Sequence, residues 1–219
     1  MNHQKLAITE HKNLAGLCEE AYDIIENVHS KFIGKSQHKY VIETSENFII
    51  VFRGSVNIQD WLNNLSFETT NFHNTNVSIG FLTCLEEDKN RQLKYDKPII
   101  VCGHSLGAAV AILHAYELET HNNTIEEVVT FAAPFVGAKS FQEEYNFGVQ
   151  NLISKTTQYV NGNDIVPSLP PIKFYHVGNH VYIGKKYKWY NPWKWVRMFL
   201  DHKIGNYINS IYKYEIGMK

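Results

Sequence analysis

The feature that most constrains the fold is residues 99–120, where a strand-like segment runs directly into a helix-like segment. The apolar run IIVCG follows Pro98, and the Ala- and Leu-rich run LGAAVAILHAYELET follows Ser105. The spacing G-x-S-x-G, from Gly103 to Gly107, predicts a tight turn in which a Cβ at either glycine would collide with the neighbouring backbone. Such a turn lifts a serine hydroxyl above the sheet, at the positive end of a helix dipole.

The rest of the chain alternates between strand-like and helix-like patterns. This alternation predicts an α/β fold with a mainly parallel sheet. At 219 residues, the chain has the length of one domain, and we expect residues 1–219 to form a single domain. The predicted elements are a helix at 14–28, a hairpin at 40–52, a helix at 80–95, a strand at 126–134, a helix at 137–147 and strands at 152–160 and 173–184.

Charge and cysteine content exclude several classes of protein. A formal net charge of -1 gives no general attraction to nucleic acid. Cys18, Cys84 and Cys102 form no C-x-x-C pair, so neither a zinc site nor a disulfide framework is expected. The N-terminal residues lack the apolar core of a signal peptide, and no apolar run of about 18 residues could span a membrane. We therefore expect a cytoplasmic protein, with a specialised export route as the alternative.

A nucleophilic serine needs a carboxylate and a histidine later in the chain. Asp164 and Asp201 are the two aspartates that follow Ser105. Asp164 lies in a predicted loop after a strand, where such a carboxylate belongs. Asp201 directly precedes His202, and neighbouring side chains are poorly placed for an in-plane bond between them. Asp164 is therefore the preferred carboxylate.

The later histidines offer more than one candidate base. His202 lies at a predicted junction between a loop and a helix, from which it could reach the serine. His176 and His180 lie in an alternating segment that predicts a strand, where a structural hydrogen bond is the simpler interpretation. His104 should face away from Ser105 because neighbouring residues of a strand alternate in direction. His202 is favoured, and His176 is the alternative.

Several segments, taken in order, resemble the class 3 lipases, the fungal triacylglycerol lipase type of α/β-hydrolase. The resemblance covers about residues 14–207. It implies the α/β-hydrolase fold, with helices on both faces of a mainly parallel sheet. The segments are VFRGSVNIQDWLNNL for the oxyanion loop and lid, GHSLGAA for the nucleophile turn, TFAAPFVG for the next strand, NGNDIVPSLPP for the aspartate loop, YHVGNHVYI for the strand after it and DHKIGNY for the histidine segment.

The resemblance implies a serine ester hydrolase of the triacylglycerol lipase or phospholipase A type, with lipid acyl esters as substrates. It assigns Ser105 as nucleophile, His202 as general base and acid, and Asp164 as the group that fixes the histidine tautomer. The backbone N–H groups of Ser55 and Leu106 would form the oxyanion hole. No metal or cofactor is implied.

The resemblance also implies a lid at about residues 56–65. Ile58, Trp61 and Leu62 have helical spacing and would cover the acyl pocket until a lipid surface displaces them. A short fixed helix with Trp61 in the core is the alternative.

The segment 182–199 interleaves aromatic and basic residues and includes three of the four tryptophans. Rings at an interface and lysines facing anionic head groups would place this segment on a membrane surface. A loop whose rings cover the core is the alternative, and a nucleic-acid partner is not expected.

The pattern departs from the family at four positions outside the proposed site. Ser78 replaces a usual histidine, Ala132 a common glycine, Phe135 a usual arginine and Ala138 a usual asparagine. These departures affect local packing and subfamily placement rather than the chemistry.

A catalytically silent α/β-hydrolase that only binds a ligand is the rival function, and acyl transfer to another alcohol is a third. The complete set of Ser105, Asp164 and His202 favours hydrolysis.

Overall fold

Two β-sheets contain the described strands of the structure. This computed structural model describes residues 2–22, 30–33, 37–55, 57, 68–170 and 172–217. The strands are β1 (Ser30–Ile33), β2 (Gln37–Glu43), β3 (Phe48–Phe52), β4 (Thr69–Phe72), β5 (Thr75–Ser78), β6 (Ile99–His104), β7 (Ile125–Phe131), β8 (Thr156–Asn161) and β9 (Asn179–Ile183).

The larger sheet has seven strands in the order β1-β2-β3-β6-β7-β8-β9. Strands β3, β6, β7, β8 and β9 pair in parallel, whereas β1, β2 and β3 pair antiparallel. The predicted hairpin and mainly parallel sheet are therefore confirmed. Strands β4 and β5 form a separate antiparallel hairpin.

Helices lie on both faces of the large sheet. They are α1 (Asn2–Glu20), α2 (Ile79–Glu86), α3 (Leu106–Thr120), α4 (Lys139–Phe147), α5 (Trp193–Leu200) and α6 (Ile204–Glu215), with 3-10 turns at Leu152–Lys155 and Val166–Ser168. None of the helices in the described ranges combines the length and apolar character needed to cross a bilayer.

The alternating side chains of β6 separate two apolar cores. Val101 packs with Ile112 of α3 on one face of the sheet. Its neighbour Cys102 packs with Leu14 of α1 and Ile211 of α6 on the other face. Successive residues of a strand point to opposite sides, so an apolar run such as IIVCG is suited to a strand that is covered on both faces.

Several element predictions differ from the structure. The first four residues of the strand expected at 152–160 form the 3-10 turn Leu152–Lys155, and β8 begins at Thr156. Helix α1 begins at Asn2 and ends at Glu20, and residues 23–29 of the predicted helix lie outside the described part. Helix α2 ends at Glu86. Strand β9 begins only at Asn179, because Gly178 has a φ of +66° that interrupts the extended backbone before it.

Candidate active site

Ser105 occupies the turn between β6 and α3. Its φ of 58° and ψ of -125° lie outside the regions that residues other than glycine usually occupy, and its N–H donates to the carbonyl of Phe131 at 2.9 Å. The side chain is buried with 1% exposure. A strained backbone held by its surroundings is typical of functional sites.

The two glycines of the turn are required by backbone contacts. A Cβ on Gly107 would lie 2.6 Å from the carbonyl oxygen of Arg53, and one on Gly103 would lie 2.6 Å from the carbonyl carbon of Gly107. Both distances are shorter than any normal contact. The prediction that side chains at these glycines would collide is confirmed.

The serine hydroxyl, an imidazole and a carboxylate form one chain of contacts. Oγ of Ser105 lies 2.9 Å from Nε2 of His202. Nδ1 of His202 lies 3.0 and 3.1 Å from the two carboxylate oxygens of Asp164. All three residues are buried. With Nδ1 protonated and facing the carboxylate, Nε2 is free to accept the serine proton.

Asp164 follows β8, in the loop that the sequence indicated. Its Oδ1 accepts the N–H of Val166 at 2.9 Å, and its Oδ2 accepts the hydroxyl of Tyr207 at 2.7 Å. His202 lies in the turn between α5 and α6. The carboxylate is therefore fixed from two elements, and it orients the ring of His202.

His104 holds the backbone of His202 in place. Burial, and then the neighbouring charge of His202, lower the pKa of His104 well below its usual value, so its ring is neutral. Its Nε2 lies 2.8 Å from the carbonyl oxygen of His202 and must donate there. Its Nδ1 therefore accepts from the hydroxyl of Tyr22 at 2.8 Å.

The predicted oxyanion donors lie beside the serine. Leu106 is the first residue of α3, where the helix dipole is positive and the backbone N–H groups point out of the helix. Ser55 follows Gly54, whose added Cβ would lie 3.1 Å from Cβ of Ser105. The hydroxyl of Ser55 donates to the carbonyl of Asn57 at 3.1 Å.

The predicted lid lies almost entirely outside the described residues. Ile58, Trp61 and Leu62 belong to residues 58–67, which the structure does not describe.

The alternative site residues lie in other contacts. The ring of His176 packs 4.1 Å from that of Phe135 and 4.3 Å from that of His180, measured between centroids. Asp201 pairs with Arg197 and accepts the N–H of Asn163 at 2.8 Å. The structure therefore brings His202, rather than His176, to the serine.

Sequence reasoning missed the supporting contacts made by Tyr207 and His104. Both lie within recognised segments, DHKIGNY and GHSLGAA, but no spacing rule indicated their partners. Strand alternation indicates that His104 faces away from Ser105. It does not indicate that the turn with His202 lies on the face of the sheet to which His104 points.

Segment 182–199 contains helix α5 and borders the site. Trp189, Trp193 and Trp195 are exposed by 78%, 62% and 63%. Trp195 and Met198 line a cleft of about 550 Å³ that also contacts Asp164. The rings therefore do not cover the core, and the packing alternative for this segment is wrong.

Known proteins share both the sequence and the fold of this chain. A lipase of Rhizomucor miehei is 32% identical over 64% of this chain and 43% of its own length. A secreted mono- and diacylglycerol lipase of Gibberella zeae is 33% identical over 50% of this chain and 33% of its own length. The chain thus spans less than half the length of these relatives. The solved triacylglyceride lipase of Rhizomucor miehei superposes with a TM-score of 0.65 at 24% identity, covering 84% of this chain and 81% of that one.

The expectation of a cytoplasmic protein is wrong. Relatives from Gibberella zeae and Malassezia globosa are named as secreted lipases. Three cysteines without a disulfide framework do not distinguish a cytoplasmic from a secreted protein. Cys18 and Cys102 are buried free thiols with 3.9 Å between their sulfur atoms, and such residues serve as small apolar core groups in any compartment.

The family match includes the elements that build the site. The family described as Lipase (class 3) matches residues 49–174, which is more than half of the chain and includes both Ser105 and Asp164. The parallel sheet, the strained serine turn and the order of the site residues agree with that match. This chain has the α/β-hydrolase fold and belongs to the class 3 lipase family.

Proposed function

We propose that the protein is a serine hydrolase that cleaves acyl esters of lipids through an acyl-enzyme intermediate. The contact of 2.9 Å between Oγ of Ser105 and Nε2 of His202 is the observation that carries this proposal. A base within hydrogen-bond distance of a hydroxyl can remove its proton as the nucleophile attacks.

Each step assigns a role to a residue of the site. Ser105 attacks the ester carbonyl while His202 takes its proton, and His202 then gives that proton to the departing alcohol. Asp164 keeps Nδ1 of His202 protonated and stabilises the imidazolium. The backbone N–H groups of Ser55 and Leu106 stabilise the negative oxygen of the tetrahedral intermediate. Water, activated by the same histidine, releases the fatty acid.

The substrate class follows from the named relatives and from the exposed surface. Several of the matched relatives are named as secreted mono- and diacylglycerol lipases, and another as a phospholipase A(1). Acyl esters of glycerol are thus the proposed substrates.

We further propose that residues 1–219 form one domain, and that residues 56–65, with Ile58, Trp61 and Leu62, form its lid.

Contact with a lipid surface is proposed through segment 182–199. Trp193 and Trp195 are exposed on α5, and Lys194 lies with its Nζ 5.6 Å from the ring of Trp195. Indole rings favour the interface of a bilayer, and lysines favour anionic head groups. Because α5 ends one residue before Asp201 and two before His202, this surface would hold the site close to the lipid.

Labelling by a fluorophosphonate, combined with a substrate panel, tests the proposal. We expect one adduct, on Ser105, and hydrolysis of short p-nitrophenyl esters, acylglycerols and phospholipids to differing extents. Ser105→Ala should abolish both labelling and turnover, whereas the matched change Ser45→Ala, in an exposed hairpin turn, should alter neither.

The remaining outcomes would contradict the proposal. A folded protein without an adduct would be a silent binding module. If Ser105 is labelled but the acyl group of the ester substrate is recovered only on an added alcohol, with no fatty acid released when that alcohol is absent, the protein is an acyltransferase instead.

A further inference from the structure

A second cleft, of about 790 Å³, lies between β9, α5 and α6 and has a cationic lining. Lys185, Arg197 and Lys213 line it from three separate segments. The lining has no carboxylate, among the residues that the structure describes. The hydroxyl groups of Tyr187, Ser210 and Tyr214 add neutral hydrogen-bond donors. We propose that this cleft binds the phosphate of an anionic lipid head group, at a site separate from the catalytic serine.

The charge distribution around the cleft supports a phosphate ligand. The segment 182–199 holds five basic residues and no acidic one, although the whole chain has a net charge of -1. Cations from different elements that converge on one cleft, together with hydroxyl donors, suit a phosphate with several acceptor oxygens. Lys185 also lies with its Nζ 5.2 Å from the ring of Tyr187, which keeps it beside the opening.

The position of the cleft favours a lipid head group over a free phosphate. Arg197 belongs to α5, the helix that exposes Trp193 and Trp195. Tyr182 lines both this cleft and the one beside Asp164. A phosphate bound here would therefore belong to the surface into which the tryptophans insert. The proposal rests on the lipid contact proposed above, but it does not depend on hydrolysis.

Vesicle binding in the Ser105→Ala background separates this inference from the proposed activity, because the lipids stay intact. Co-sedimentation is measured with phosphatidylcholine vesicles, with vesicles that also contain phosphatidylglycerol, and with vesicles brought to the same surface charge by oleate. We expect the tightest binding to phosphatidylglycerol. Lys213→Ala and Lys185→Ala should each weaken that binding by roughly fivefold.

Lys89→Ala is the matched control, since it removes the same charge from an exposed position between α2 and β6. It should change the affinity for phosphatidylglycerol vesicles by less than about twofold. Arg197 is left unchanged because it also pairs with the buried Asp201, next to His202. Circular dichroism and urea unfolding confirm that each variant folds.

Several results would overturn the inference. Equal losses for Lys89→Ala and Lys213→Ala would indicate general attraction rather than a site, as would equal binding to oleate vesicles. Tight calorimetric binding of inorganic phosphate that displaces no protein from vesicles would indicate a site for free phosphate instead.

Discussion

The hydroxyl of Tyr207 donates a hydrogen bond of 2.7 Å to Oδ2 of Asp164, and both side chains are buried. The phenolic oxygen of Tyr207 in turn accepts the backbone N–H of Asn161 at 3.2 Å. Burial, followed by the charge on Asp164, raises the pKa of Tyr207 well above its ordinary value, so the phenol keeps its proton. Tyr207 is therefore a permanent donor that positions the carboxylate facing His202.

Removing this donor should slow the reaction without weakening substrate binding. We expect Tyr207→Phe to lower kcat by roughly tenfold or more, with KM little changed, since a hydrogen bond to a charged group contributes about 1.5–3 kcal/mol. Kinetics on a soluble ester provide the measurement. Tyr212→Phe, on the exposed side of the same helix, is the control and should keep full activity. Equal kcat in the two variants would exclude a positioning role for Tyr207.

The exposed tryptophans of α5 should control attachment to lipid. We expect the double variant Trp193→Ala, Trp195→Ala to weaken vesicle binding by at least tenfold, because it removes two indole rings that favour the bilayer interface. Phe147→Ala removes an aromatic ring that is 71% exposed on α4, outside the segment, and should leave binding unchanged. Co-sedimentation with vesicles gives both values, and equal losses would contradict docking through α5.

Stability should fall as the solution becomes acidic. Burial lowers the pKa of five described histidines: His73, His104, His114, His176 and His180. The pKa of His176 is lowered to about 3. The unfolded chain binds protons at these positions as the pH falls below about 6.5, whereas the folded chain, with its lowered pKa values, binds them only at lower pH. The free energy of unfolding is therefore greatest above pH 6.5 and decreases as the pH falls through that value toward 3.

A single variant tests the assignment of this effect. Between pH 6 and pH 4, His176→Gln should reduce the slope of unfolding free energy against pH by up to about 1.4 kcal/mol per pH unit. Urea unfolding followed by tryptophan fluorescence measures both slopes. Parallel slopes for the variant and the parent protein would mean that His176 is not neutral in the fold.

A missing helix cap offers a route to greater stability. Ala138 precedes α4 with an extended backbone and makes no side-chain cap. An asparagine, the residue that the family resemblance leads one to expect there, could accept a backbone N–H of the first helical turn. We expect Ala138→Asn to raise the free energy of unfolding by about 1 kcal/mol, measured in urea. Ala138→Gln is the control, because its longer side chain is a poor cap, and an equal gain from it would contradict the capping explanation.

Local patterns in the sequence were enough to locate the serine turn and the aspartate loop. The G-x-S-x-G spacing fixes where strand and helix approach closely, since only glycine fits beside the backbone of Arg53 and of Gly107 itself. Asp164 could be singled out by its place in the chain after a predicted strand. These features depend on neighbours in the chain and on steric exclusion, both of which a sequence displays.

Contacts between distant segments were decided only by the tertiary structure. Whether His202 or His176 reaches Ser105, and whether Tyr207 and His104 support the site, depends on where α5, α6 and β9 lie around the end of the sheet. The exposure of the tryptophans on α5 is of the same kind, because aromatic residues are suited equally to a core and to an interface. Ser105 and His202 are 97 residues apart in the chain, and local spacing does not indicate which distant segments come into contact.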